Sequence, residues 1–145
     1  MKSNGIEIIL VEDNLDDALL TIRALKKNNL ANNICHLKDG SEALGYFFGQ
    51  GELPGKNIPE NPKLILLDLK MPKVNGLEVL QRLKSDERTN QIPVVVLTSS
   101  NEDPDIEKCY KLGANSYIVK PVGFENFGSI VSQLGAYWLL LNQKP

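Results

Sequence analysis

The stretch Lys63–Gly76, KLILLDLKMPKVNG, decides the fold. Its apolar residues Leu64, Ile65, Leu66 and Leu67 run unbroken and then meet a carboxylate, Asp68. A run this short and this apolar predicts a strand covered on both faces, as in the interior of a parallel sheet. Asp68 then stands where the chain leaves the core, ahead of a turn marked by Met71-Pro72 and Asn75-Gly76. An acid at the lip of the most buried strand calls for a chemical reason.

Working outward, PVVVL at Pro93–Leu97 is a second doubly buried run, and IEIILV at Ile6–Val11, a short run rich in β-branched residues, reads as the first strand. Ile34–Leu37 and Ser116–Val119 predict two weaker strands. Between them lie helical periodicities: Leu15 to about Asn28, Gly40 to Phe48, Leu77 to Ser85, Asp105 to Leu112, and a last helix from Phe124 to Leu141. The segment GQGELPGKNIPENP at Gly49–Pro62 reads as a long surface loop. Strand and helix alternate five times, which predicts an α/β fold with a doubly wound parallel sheet.

In such sheets ligands sit beyond the carboxyl ends of the strands. The residues there are Glu12 and Asp13, then Lys38 and Asp39, then Asp68, then Thr98, Ser99 and Ser100, and lastly Lys120-Pro121. Each acid alone reads as a helix cap or a solvated turn residue. Together with Lys120 they point to a site. Three close carboxylates disfavour one another's ionised form, and a hard divalent cation relieves that; magnesium fits, since it takes one or two carboxylates plus phosphate. Beside such a cation and Lys120, Asp68 could attack phosphorus, and Thr98 could donate to a phosphoryl oxygen.

Composition narrows the classes further. The chain has 145 residues, 42% hydrophobic and 23% charged, which suits one ordinary globular domain. A net charge of -2 offers no global attraction to nucleic acid or to an anionic membrane. No segment approaches the ~18 apolar residues of a membrane span, the amino terminus is a poor signal peptide, and the default location is the cytoplasm. Cys35 and Cys109 are too few and too isolated for a disulfide scaffold or a zinc site. Asp16 and Asp17 fall in the first turn of the first helix, where acids meet the helix dipole, and read as structural. His36 and Cys35 read as structural too.

At these residues the sequence resembles a response-regulator receiver domain. The motifs are VEDN at Val11–Asn14, LLDLKMPKVNG at Leu66–Gly76, VVVLTS at Val94–Ser99 and YIVKP at Tyr117–Pro121, in order over nearly the whole chain. The resemblance implies a flavodoxin-like fold of five strands in order 2-1-3-4-5, and one receiver domain over residues 1–145 (core about 6–141) with no output domain. It implies that Asp68 accepts phosphate from a histidine kinase or phosphotransfer protein. Glu12, Asp13 and Asp68 would hold magnesium, Asp13 directly and Glu12 mainly through water, and the backbone carbonyl of Lys70 would complete the set. Thr98 and Lys120 would bind the phosphoryl group, and Tyr117 would be the aromatic switch. A cis peptide would join Lys120 and Pro121, and Lys70 and Ser100 would influence hydrolysis of the phosphate.

Output would then pass through protein contacts, to an unknown downstream target or by onward phosphorelay. AYWLLL at Ala136–Leu141 is a candidate partner surface, with Tyr137, Leu139 and Leu140 off the core-facing stripe and a homodimer as one occupant. The long loop resembles that of the small regulators paired with phytochrome-type kinases; a chemotaxis-type regulator is the nearest alternative. Two rivals belong to other classes. A haloacid-dehalogenase-type phosphatase needs a second Asp two residues after the nucleophile, where Lys70 stands. A flavodoxin-like flavin carrier needs a hydroxyl- and glycine-rich phosphate cradle, where EDNLDD would repel phosphate.

Overall fold

The computed structural model describes residues 6–27, 33–49, 62–71, 74–99, 101–120 and 124–141, the last range without the side chains at 124, 125, 140 and 141. In chain order the elements are β1 (Ile8–Val11), α1 (Leu15–Lys27), β2 (Ile34–Leu37), α2 (Gly40–Phe48), β3 (Leu64–Leu67), α3 (Gly76–Ser85), β4 (Val94–Thr98), α4 (Asp103–Leu112), β5 (Ser116–Val119) and α5 (Phe124–Gly135). All strand pairings are parallel, in the order β2-β1-β3-β4-β5. Every residue of β1, β3 and β4 is buried, which is why these strands carry unbroken apolar runs, whereas the edge strands β2 and β5 are only partly covered.

The two-residue period of a strand divides the core between the faces of the sheet. Ile9, Val11, Ile65, Leu67, Val94 and Val96 pack with Phe47, Val79, Leu80, Leu83 and Cys109 from α2, α3 and α4. Their neighbours Ile8, Leu10, Leu64, Leu66, Val95 and Leu97 pack with Ala18 and Leu25 of α1 and with Phe127, Val131 and Leu134 of α5. Burying a side chain of this kind stabilises by roughly 1.5–3 kcal/mol, so the continuous runs set the layer order.

Local chemistry starts and stops the helices. Asp39 caps α2 by accepting from Glu42 N at 2.8 Å, and Asn75 caps α3 by accepting from Glu78 N at 3.1 Å. Gly113 ends α4 at φ 110, a left-handed conformation that glycine adopts without strain.

Two expectations change. The fourth helix begins at Asp103, two residues ahead of the expected Asp105, because Pro104 sits in its first turn, where a missing N–H costs nothing. The last helix is not one regular α-helix: Ala136–Leu141 forms a π turn after α5. Its wider i→i+5 bonding lowers the rotation per residue. Leu139, expected off the core-facing stripe, therefore returns with Ala136 and Trp138 to the core shared by α1 and α5.

Candidate functional site

Register brings the strand ends together. Val11 pairs with both Leu37 and Leu67, and Thr98 with Val119. The next residue of each strand keeps the pattern: Asp68 N donates to Val11 O at 3.0 Å, Glu12 N to Leu37 O at 3.1 Å, and Lys120 N to Thr98 O at 2.7 Å. Glu12, Asp68 and Lys120 are thus placed by main-chain bonds before their side chains act. Gly76 keeps the loop after β3 tight, since a Cβ there would lie 2.7 Å from Leu69 Cα.

One carboxylate oxygen each from Glu12, Asp13 and Asp68 lies within 4.8 Å of the others. Glu12 and Asp68 are buried, at 3% and 7% exposure, while Asp13 faces solvent. Leu69 N donates to Asp68 Oδ1 at 2.8 Å, which orients the carboxylate. Lys120 Nζ donates to Glu12 Oε1 at 2.8 Å and approaches Asp68 Oδ2 at 4.0 Å. Burial, with the Asp68 charge adding to it, pushes the Glu12 carboxyl up to about 7, even though Lys120 and the Asn14 N–H pull the other way. The Lys120 ammonium is held above its ordinary range: burial works against its charge, but bonds to Asp17 and Glu12 outweigh it.

Thr98 is fully buried, and its Oγ1 has no hydrogen-bond partner among the described residues. A buried hydroxyl left unpaired is uncommon and costs free energy, so it marks a place where a ligand oxygen would be welcome. Three hard oxygen donors on one side and an ammonium on the other fit a divalent cation together with an anion. A cleft of about 520 Å³ adjoins the acids, lined by Asp13, Leu69, Lys70, Met71, Asn75, Leu77 and Asp105. Tyr117 lies on β5, half-buried against the core shared by α2, α3 and α4.

Some expected residues fall elsewhere. Pro121 and Ser100 lie outside the described residues, so the Lys120–Pro121 bond does too, as does most of the Gly49–Pro62 loop. Tyr137 is half exposed, Leu139 is packed on the core, and the Leu140 side chain is outside the described set. Other groups were missed. Asp17 Oδ2 accepts from Lys120 Nζ at 2.8 Å, and His36 Nε2 lies 2.8 Å from Glu12 O. Position in the first helical turn was a sufficient structural account of Asp17, and only a partner 103 residues away reveals more.

A doubly wound parallel sheet that gathers three carboxylates, an ammonium and an unpartnered hydroxyl at one strand edge has the architecture of the receiver modules of signal transduction. The response regulator receiver domain model matches residues 8–132, and the chain belongs to that family, whose members act in two-component signalling. The chain is 42% identical to the probable methanogenesis regulatory protein FilR2 of Methanothrix harundinacea, over 95% of this chain and 86% of that one. It is 37% identical to the response regulator Rcp1 of Synechocystis, over 91% and 88% of the two chains. The phosphorylated cyanobacterial phytochrome response regulator RcpA superposes with a TM-score of 0.87 at 38% identity, over 97% of this chain and 99% of that one. An Mn(2+)-bound form of Rcp1 superposes at 0.85 and 35% identity, over 96% and 99%. Among the described residues no helix is long and apolar enough to cross a membrane.

Proposed function

We propose that Asp68 accepts a phosphoryl group from the phosphohistidine of a sensor kinase or phosphotransfer protein, and that the chain signals in the cytoplasm as a single receiver domain. The carrying observation is the convergence of Asp68 with Glu12 and Asp13 beneath one ammonium. An Asp68 oxygen forms the new O–P bond as the N–P bond of the phosphohistidine breaks, and that electron pair returns to the imidazole nitrogen. Glu12, Asp13, Asp68 and the carbonyl of Lys70 would hold magnesium, which when bound neutralises phosphoryl charge. Lys120 balances the charge of the transferred group, and the Thr98 hydroxyl donates to one of its oxygens, filling its vacant bonding capacity. The chain is a phosphoacceptor rather than an enzyme with turnover; it assists its own phosphorylation and the slow hydrolysis that resets it.

Phosphorylation adds roughly -1.5 to -2 charges. As Thr98 moves toward the phosphoryl group, Tyr117 turns inward beside it, and the face formed by α4 and β5 changes shape. To invert a 1:99 population the new contacts must favour the active state by roughly 5.5 kcal/mol. Tyr110 and Val119 are exposed on α4 and β5, and Tyr137 on the final turn; these are apolar groups that a protein partner would cover, with a second copy of the chain as the first candidate. The likeness to RcpA, described as a phytochrome response regulator, favours a phytochrome-type kinase as donor.

Acetyl phosphate labelling with and without magnesium, on the wild type and Asp68→Asn, tests the core of this reading. Magnesium-dependent label is expected on the wild type alone; label persisting in Asp68→Asn sinks the assignment. Phosphotransfer from a phytochrome-type kinase tests the donor, and sedimentation of the phosphorylated wild type and Tyr137→Glu tests the dimer.

A further inference from the structure

Asp17 has no part in the acceptor set just described, yet it binds the ammonium of Lys120 as closely as Glu12 does, at 2.8 Å. Both contacts are shorter than the 4.0 Å from Lys120 to Asp68. The reason lies in the start of α1. Asn14 Oδ1 accepts from Asp17 N at 2.9 Å, which makes Asn14 the cap and Asp17 the third helical residue. In a capping box a Glu or Gln in that position reaches back to the N–H of the cap residue. Here Asn14 N donates to Glu12 Oε2 at 3.1 Å instead. The Asp17 carboxylate turns instead to Lys120. Its backbone is fixed from the other side, where Thr21 Oγ1 donates to Asp17 O at 2.8 Å.

We infer that Asp17 is a positioning residue that anchors Lys120 on the α1 side of the crevice and so competes with a phosphoryl group on Asp68 for the ammonium. This rests on Asp68 being the phosphoacceptor. Lys120 has three N–H donors, and two of them serve Glu12 and Asp17 before any phosphate arrives. The third is left for a phosphoryl oxygen, and as the ammonium, 4.0 Å from Asp68 Oδ2, moves toward Asp68 to serve it, a contact on the other side loosens. Asp17 is the one to yield, because its side chain is 32% exposed against 4% for Glu12, so water can replace the lost bond. Asp17 thus sets a threshold: it weakens the phosphorylated state relative to the resting one. Its charge acts in the same direction, by repelling the incoming anion.

The test uses beryllofluoride with saturating magnesium as a phosphoryl mimic, titrated into the full chain and its variants and followed by fluorine NMR. Asp68→Asn should lose binding. If it binds as the wild type does, the acceptor assignment fails and the inference falls with it. Given that control, Asp17→Asn should bind about three- to tenfold more tightly, a modest range because the pair is partly solvated. Asp17→Ser serves as a second variant should the first fold poorly. Asp16→Asn, which removes the same charge from the exposed neighbouring position, should change affinity less than twofold. In the ligand-free protein the ε-methylene resonance of Lys120 should shift in Asp17→Asn and not in Asp16→Asn. Binding by Asp17→Asn that is unchanged, weaker, or matched by Asp16→Asn would overturn the role, as would an unmoved Lys120 resonance.

Discussion

Two ion pairs in this molecule share a 2.8 Å contact and differ in everything that follows from it. In the crevice at the strand ends, Lys120 meets Glu12 with both side chains almost wholly enclosed. At the foot of α3, Arg88 meets Asp86 with about a quarter to a third of each side chain in solvent. The Arg88 guanidinium, bonded to both Asp86 oxygens, pulls the Asp86 carboxyl down to about 2. Glu12 moves the opposite way, since loss of hydration there outweighs the ammonium. Distance alone does not say what an ion pair does; the solvent it has given up does.

The surroundings match the contrast. The Asp86 region belongs to a structural network: Thr89 Oγ1 donates to Leu83 O at 2.6 Å, Lys84 Nζ donates to Ile92 O at 2.8 Å, and Arg82 and Arg88 lie over the Phe48 ring. These bonds close the end of α3 and lead the chain into β4. In the crevice, bonds are left over: Thr98 Oγ1 has no partner among the described residues, and like charges stand close together. The first region is satisfied as it stands, and the second is completed by what it binds.

Substitutions should therefore separate function from stability. The largest effect is expected from Asp68→Asn, with magnesium-dependent phosphoryl labelling falling roughly 100-fold or more while the urea midpoint is not lowered, because one repelling charge has gone. A lowered midpoint would show that the crevice also holds the fold together. Next comes Lys120→Met, which strands buried Glu12 without its ammonium and should cost about 2–4 kcal/mol in urea unfolding, besides impairing phosphorylation. A cost near zero would erase the distinction drawn from burial.

Thr89→Val removes a buried donor from the end of α3 and should cost about 1–2 kcal/mol, leaving the rate of labelling by acetyl phosphate unchanged. Asp86→Asn should have the smallest effect, and its pH dependence has a definite sign. The folded carboxyl is depressed from 3.8 to about 2, so its contribution is present above about 3.8 and is lost as pH falls through about 2. The wild type should exceed Asp86→Asn slightly in urea midpoint at pH 7, with the two converging as pH drops from 5 toward 2. A gap that widens on acidification contradicts the pair.

Much of this was legible from local pattern. Leu64–Leu67 and Val94–Leu97 announced buried parallel strands because apolar runs have few other uses at that length. The acids and Lys120 were recognisable because a parallel sheet sends all its strand ends to one edge. Less could be read where neighbours decide. The π turn at Ala136–Leu141 gives no signal in AYWLLL, since the return of Leu139 to the core depends on what α1 and α5 present to it.

The order of apolar and polar residues by itself determined the layers, the strands and the edge where chemistry gathers, since these follow from burial and from a period of two or 3.6 residues. The tertiary structure alone decided how one ammonium is divided among Glu12, Asp17 and Asp68, and which hydroxyl has no partner among the described residues. Those are matters of tenths of an ångström and of lost water between groups far apart along the chain. No local pattern encodes them.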